Sequence, residues 1–308
     1  MKILLNELEL SYAPVSAYHF RNLIRSKHFV ETKRHSHIYV IAQAKELFFK
    51  DLSFIENDAV LRVTIAQDDN PNTVICKFPI IQKEIASEKN EIVLLRGYDR
   101  NGNQTTSNFQ AIDIVDLDPE SNDTSLLIWF SPAKLLQNLW TNGLKGEIIG
   151  DFKSMLNYKV HYVGKATEQN ICKRLSKHST FQGILTSELP LTYGNIPSNE
   201  IMVLLFNIRD NNVVMRSTVK EMTDFIMNGK LPSDKAVSLD AEKALIRYLQ
   251  PKYNKILFNS YPTPKDMLSR ENYSNIMYSI SDPITLIYDD GMLIGARNHN
   301  ERTYIEIK

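Results

Sequence analysis

The sequence predicts an α+β protein: an N-terminal mixed domain with an antiparallel sheet, then a small sheet flanked by helices, then a strand-rich C-terminal tail. Three observations predict it. Short β-rich runs follow one another between residues 59 and 130 with few helical patterns between them, which favours antiparallel pairing over a wound parallel sheet. Helical patterns and strands then mix up to residue 250. The chain has 308 residues, 43% hydrophobic and 23% charged, enough for two domains and a core that needs neither metal nor disulfide.

Taken in order, Pro14–Arg25 pairs apolar residues three apart, Val15 with Tyr18 and Phe20 with Leu23, as a helix does. Ala59–Ala66, Thr73–Ile80, Glu91–Tyr98 and Gln110–Leu117 are β-rich runs bounded by Asp, Asn and Gly, and the polar stretch Asn101–Asn108 is a loop. Ser125–Phe130 is a further strand, after which Ser131 and Pro132 supply the N-cap and first residue of a helix over Pro132–Thr141. A boundary falls near Asn142–Gly146. Beyond it the sequence predicts a hairpin from Ile148 to Val163, a helix from Asn170 to His178 and a buried strand Glu200–Asn207. Helices near Thr218–Met227 and Leu239–Gln250 follow, then strands from Asn275 that pack back on the first domain. The expected domains are residues 1–142, for target recognition or oligomerisation, residues 145–260, and an extension over 261–308.

Lys plus Arg and Asp plus Glu number 36 each, but the balance is uneven: −3 over residues 1–140, +5 over 141–260 and −2 over 261–308. A polyanionic partner binds where cations concentrate, which is the middle segment. The two cysteines, Cys76 and Cys172, lie far apart, which excludes a disulfide framework or zinc ribbon and suits a reducing compartment. The longest apolar stretches fall well short of the ~20 residues that span a bilayer, and the opening MKILLNELEL carries acids where a signal peptide carries bases. The expected location is the cytoplasm, without a membrane partner. In the segment KRHSH, Lys33, Arg34, His35 and His37 read as a solvated strand or helix start rather than metal ligands, since no further ligand pair stands at a suitable spacing. No glycine-rich phosphate loop, nucleophile elbow or HExxH pattern occurs, so any ATPase that the function needs is a separate chain.

Chemistry concentrates in VHYVGKATEQNICKRLSKH, Val160 to His178, and SLDAEKALIRYLQPKYNK, Ser238 to Lys255. The first reads as a strand ending at Tyr162-Val163-Gly164, a turn from Lys165 to Gln169, and a helix presenting Arg174 and His178 one turn apart. In the second, Glu242 stands in the first turn of an amphipathic helix that Pro251 ends, and Asn254 follows in a turn. Phosphodiester cleavage needs a group to take a proton from water, a cation for the crowded phosphate, and usually a divalent metal. Arg fits a phosphate oxygen, a lone Glu suits Mg²⁺ (or Mn²⁺), which keeps most of its waters, and a tyrosine or histidine can take the proton.

YVGKA before a KRL-type helix, and a later helix with AE before PKYN, resemble the GIY-YIG nucleases over residues 148–255. The resemblance implies one-metal hydrolysis of a nucleic acid, DNA in preference to RNA, in restriction or phage defence. It matches Tyr162 to the tyrosine of the second triad, a general base or water-positioning group, and Arg174 to the arginine on the scissile phosphate. His178 matches a histidine found there in many members, Glu242 the metal carboxylate and Asn254 the supporting asparagine. Lys165, Lys173 and Lys177 are then basic contacts to the substrate. The first triad has no clear counterpart: Gly150-Asp151-Phe152 stands near the right distance but carries phenylalanine, and Tyr158 is the hydroxyl the same hairpin can supply if its register turns it inward. One site cuts one strand, so a homo-oligomer is expected for double-strand cleavage. The alternatives are a catalytically silent module that keeps the nuclease fold, and an RNA-directed nuclease.

Overall fold

The computed structural model describes residues 2–32, 36–55, 59–87, 92–99, 102–105, 107–167, 170–229, 231–263, 266, 268 and 273–307. The α+β class is as expected. The division is not: the chain forms one unit from Met1–Ala44 and Leu156–Lys308, and a second from Lys45–Met155. The cut expected near residue 142 fails because the first 44 residues are strands and helices whose partners come much later in the chain.

The first unit opens with β1 (Lys2–Leu10), β2 (Val15–Ser16), α1 (Ala17–Leu23), α2 (Lys27–Thr32) and β3 (Ile38–Gln43). β1 was not expected, although Glu7, Leu8, Glu9 and Leu10 already alternate with the period of a half-buried strand. The chain then builds the second unit from β4 (Leu47–Ile55), β5 (Val60–Gln67), β6 (Val74–Pro79), β7 (Ile92–Tyr98), β8 (Ala111–Leu117), β9 (Thr124–Phe130), α3 (Pro132–Trp140) and β10 (Glu147–Ile149). It holds two antiparallel sheets, β10-β6-β5-β4 and β7-β8-β9. Here the sequence patterns are realised within a residue or two, and Ser131 caps α3 by accepting the Lys134 N–H at 3.3 Å.

The first unit resumes with β11 (Asn157–Lys165), α4 (Ile171–Ser176), α5 (Ser179–Ser187), α6 (Pro197–Glu200), β12 (Ile201–Met215), α7 (Val219–Asn228) and α8 (Asp234–Leu249). It ends with β13 (Asn275–Ile280), β14 (Thr285–Tyr288), β15 (Gly291–Ile294) and β16 (Ile305–Ile307). Among the described residues its sheet has nine strands in the order β15-β14-β11-β3-β12-β1-β13-β16, with β2 beside β12. The expected small sheet is only the centre of this larger one. The C-terminal strands are built into it, β13 parallel to β1 and β14 parallel to β11, rather than forming a separate extension.

Two more expectations are corrected. The hairpin from Ile148 to Val163 does not exist, because β10 pairs with β6 in the second unit while β11 pairs with β3. The long helix over Leu239–Gln250 starts earlier, at Asp234, capped by the Ser233 hydroxyl, because its buried side extends back through Ala236, Val237 and Ala241. Glu242 therefore lies in mid-helix, not in a first turn. One sheet face carries a core of Tyr39, Ile41, Val203 and Leu205 packed against Phe20 of α1, Ile171 and Leu175 of α4, and Phe181 of α5.

Candidate active site

Strand β11 decides which hydroxyls face which side. Simple alternation would put Tyr158, Val160 and Tyr162 on one face. A bulge between Val160 and Tyr162 shifts the register, so that Val160 stands opposite Ala42 but Tyr162 opposite Ile41. Tyr162 thereby joins the face of Ile41 and Tyr39, and Tyr158 is left on the other. Tyr158 is 2% exposed and burial pushes its phenol up, so the role expected of it in the site is withdrawn.

The residue that stands where a second hydroxyl is needed is Tyr39, which was not among those expected. It is opposite Gly164 across the β3–β11 pair, and a Cβ on Gly164 would come within 2.6 Å of its hydroxyl and 2.7 Å of the Tyr162 ring. That close approach is the physical reason for glycine at the strand end. The Tyr39 and Tyr162 rings stack with centroids 6.0 Å apart, and His178 meets them edge-on at 5.9 and 5.0 Å. Tyr39 is fully buried, and its hydroxyl completes no hydrogen bond of good geometry among the described residues.

His178 does not continue the helix that carries Arg174. Lys177 leaves helical geometry to end α4, and His178 is the extended N-cap of α5, its Nδ1 accepting the Phe181 N–H at 3.1 Å. With Nδ1 so engaged, the neutral ring carries its proton on Nε2 and presents a donor rather than a base. Burial, and after it the Arg174 charge, lowers its pKa and keeps it neutral.

Arg174 lies beside both phenols and Glu242 beside Tyr162. Burial raises the Tyr39 phenol, as does Tyr162, while the nearby guanidinium of Arg174 pulls it down. Burial also raises Tyr162, with the Glu242 carboxylate adding to the rise and Tyr39 and Arg174 opposing it. Glu242, with its side chain 12% exposed, holds the Lys165 ammonium at 2.6 Å. Burial raises its carboxyl, and Lys165, Lys243 and Arg174 offset only part of that. Two phenols, a guanidinium, an ammonium and a carboxylate drawn from β3, β11, α4 and α8 thus share one site. Among the described residues no three His, Cys, Asp or Glu side chains stand together. A hard ion that keeps most of its waters needs only one carboxylate, and Glu242 has one oxygen engaged by Lys165 and another to offer.

No family model, curated protein or solved structure matches this chain. The site must therefore be judged on its own geometry.

Asn254 makes no hydrogen bond to either phenol among the described residues. Its Oδ1 accepts the Val163 N–H at 2.9 Å and its Nδ2 donates to the Val163 carbonyl at 2.8 Å, so the side chain serves as a strand neighbour for the stretch that carries Tyr162. Tyr253 continues this edge, its N–H donating to the His161 carbonyl at 3.1 Å and its hydroxyl to Glu188 at 2.6 Å. Asn254→Ala leaves both Val163 groups to water, and is expected to lower stability by ~1–3 kcal/mol and to loosen Tyr162, measurable by thermal melts and by amide exchange at Val163. Lys173 and Lys177 are exposed on the same short helix as Arg174 and at its end. Of the KRHSH segment, Lys33, Arg34 and His35 lie outside the described residues, as do Glu168 and Gln169 of the expected turn. His37 immediately precedes β3, and its carbonyl accepts the Ala166 N–H at 2.8 Å. Tyr39 had one signal in the sequence, an aromatic residue in the apolar run Ile38–Ala42 directly after a polar segment, but nothing ties that run to Tyr162 until the strands are paired.

Proposed function

We propose that this chain is a metal-dependent endonuclease resembling the GIY-YIG nucleases, hydrolysing nucleic-acid phosphodiesters, DNA in preference to RNA, in restriction or phage defence. One observation carries this reading: the hydroxyl that the resemblance lacked is supplied by Tyr39 on the strand beside Tyr162. His37-Ile38-Tyr39 then plays the part of the first triad and Tyr162-Val163-Gly164 that of the second. Residues 45–155 are inserted between two adjacent strands, which is why the spacing hides the pair. Chain insertions between paired strands are tolerated because closure entropy grows slowly with length.

The division of labour follows from the side chains. Raised by burial, the two phenols stay protonated at neutral pH rather than serving as phenolates. Tyr162, partly exposed, can donate to water and phosphate oxygens, and Tyr39, fully buried beside it, orients Tyr162 and Arg174 from behind. Arg174 neutralises charge on the phosphate, and His178 adds an N–H donor. Glu242 is the residue that would hold Mg²⁺ (or Mn²⁺), which as a Lewis acid polarises phosphoryl oxygens and acidifies bound water. Lys165 neutralises Glu242 while the site is empty of substrate and becomes a phosphate contact when the carboxylate is otherwise engaged.

Outside residues 45–155 the chain carries 25 basic and 19 acidic side chains, whereas the inserted unit carries 11 and 17, a balance of −6. The inserted unit is therefore better suited to a protein contact, with a second copy of the chain or a regulatory partner, than to gripping a phosphate backbone. A silent binding module is the second reading, favoured by the Lys165–Glu242 pair, which already neutralises the carboxylate. The deciding experiment incubates the protein with supercoiled plasmid and with structured RNA, with Mg²⁺ or with chelator. Nicking of plasmid only with the metal is the expected result. RNA cut with plasmid spared supports the RNA-directed nuclease, and binding without cleavage of either supports the silent module.

A further inference from the structure

The first unit holds a second polar site that the cleavage reading does not use. Between β1 and β12 the register slips by one, Leu8 pairing with Ile208 and Glu7 with Asp210, so that Arg209 is the extra residue of a bulge. Beside this bulge lies a cavity of about 390 Å³ whose lining includes Glu7, Arg209, Asp210, Arg297, His299 and Arg302. Its volume is at the lower end of the range for small-ligand sites. Apart from one imidazole, the lining has no aliphatic or aromatic side chain, which is the wrong chemistry for a lipid chain.

The charge is arranged for an anion. Three guanidinium groups meet the two carboxylates of the lining, with Glu9 beside Arg209 as a third, and His299 adds a further donor. Arg302 is the built part, its side chain only 2% exposed. One of its terminal nitrogens bonds Glu7 at 2.8 Å and Ser279 at 3.2 Å, and the other the Arg297 carbonyl at 2.6 Å, while its buried Nε has no partner among the described residues. His299 is set between the Tyr304 hydroxyl at 2.8 Å and Glu7 at 3.7 Å. Glu7 thus serves as a buttress that is shared by Arg302 and His299. Arg209 reaches Glu9 and Asp210 only at 3.8 and 3.7 Å, and Arg297 makes no ion pair among the described residues. A burial-locked arginine beside one loosely paired and one without an ion pair leaves forked donors that an entering oxyanion can take.

We propose that this cavity is a phosphate-binding subsite, separate from the Tyr39–Glu242 site and independent of whether that site cuts. Strand alternation sets Glu7 on the sheet face that carries Leu205 and Tyr39, displaced from their level by four pairing positions, or ~13 Å along the strands, and lying two strands over from Tyr39. The anion is either a phosphate of a polynucleotide lying across that face or a free phosphate or mononucleotide, and the two sources share the chemistry of a tetrahedral oxyanion on forked donors.

The test titrates the full chain with inorganic phosphate and with a nucleoside monophosphate by calorimetry, and with a short duplex across a salt series. Arg209 and Arg297 are exposed, so Arg209→Ala/Arg297→Ala leaves the fold intact, which circular dichroism verifies. Saturable phosphate binding that weakens about tenfold or more in this variant supports the site. A duplex salt slope that also falls, by ~0.9 for each phosphate the variant no longer neutralises, assigns it to polynucleotide, and an unchanged slope assigns it to the free ligand. The proposal is overturned if wild type binds no phosphate, if wild type and variant bind alike, or if Arg174→Ala rather than the double variant abolishes binding.

Discussion

Glu242→Ala is expected to lower Mg²⁺-dependent cleavage by on the order of 10³-fold while leaving nucleic-acid binding nearly intact. Among the described residues the carboxylate is the one acidic group in the cluster of phenols and cations, and so the one side chain there suited to a hard ion. Lys165, its partner, is 34% exposed and regains water when the carboxylate is removed, so the fold survives. The pH behaviour has a definite sign. Burial raises the Glu242 carboxyl above its ordinary value despite Lys165, Lys243 and Arg174. Cleavage therefore falls as pH drops through a value higher than that of an exposed glutamate, about 4.3. A group whose pKa is raised on folding stabilises the fold below its unfolded pKa and loses that contribution as pH rises through the folded one. At neutral pH the charged Glu242 is thus a cost to stability, and Glu242→Gln is expected to be inactive with an unchanged or higher Tm. Initial rates across pH and a thermal melt check both halves. Retained cutting by Glu242→Ala would sink the site, and a lower Tm for the Gln variant would recast Glu242 as structural.

What the sequence disclosed and what it hid divide along physical lines. Elements specified by local chemistry were legible. Ser131-Pro132 marks the start of α3, Thr218 and Glu221 form the capping box of α7, and the alternating runs from Val60 to Phe130 are strands of the inserted unit. Elements specified by distant partners were not. β3 is buried on both faces and so lacks alternation, β10 and β11 looked like two arms of a hairpin because they are close in sequence, and the C-terminal strands gave no hint that they complete the sheet around β1 and β11. The same rule governs the site. Tyr162, Arg174, Lys165 and Glu242 were readable because a pattern of residue types in one region carries them. Tyr39 was not, since only cross-strand pairing brings it to Gly164. The bulge at His161, invisible to a period-two reading, exchanges Tyr158 for Tyr162 on the working face.

Tyr39→Phe separates a working hydroxyl from a packing ring more sharply than any other substitution. The ring is fully buried between Tyr162, His178 and the backbone of Gly164, and phenylalanine keeps all of that packing. The hydroxyl is desolvated and stands beside the Tyr162 hydroxyl and the Arg174 guanidinium without completing a hydrogen bond of good geometry, so deleting it changes stability by no more than about 1 kcal/mol. A side chain selected for stability would lose nothing by lacking that oxygen. One whose oxygen holds Tyr162 and Arg174 in place for a phosphate loses on the order of 10²-fold in cleavage rate when that oxygen is taken away. The expected result is therefore a protein with a nearly unchanged Tm, unchanged binding of a metal-free duplex and a rate reduced ~10²-fold. Tyr39→Ala, in contrast, opens a cavity and is expected to cost ~3–5 kcal/mol, so its loss of activity would say nothing about the hydroxyl. If Tyr39→Phe cuts at the wild-type rate, Tyr39 is core and the pairing of His37-Ile38-Tyr39 with Tyr162-Val163-Gly164 loses its chemical content. If it is inactive and also less stable, the oxygen has a structural partner and the assignment of its role to cleavage fails.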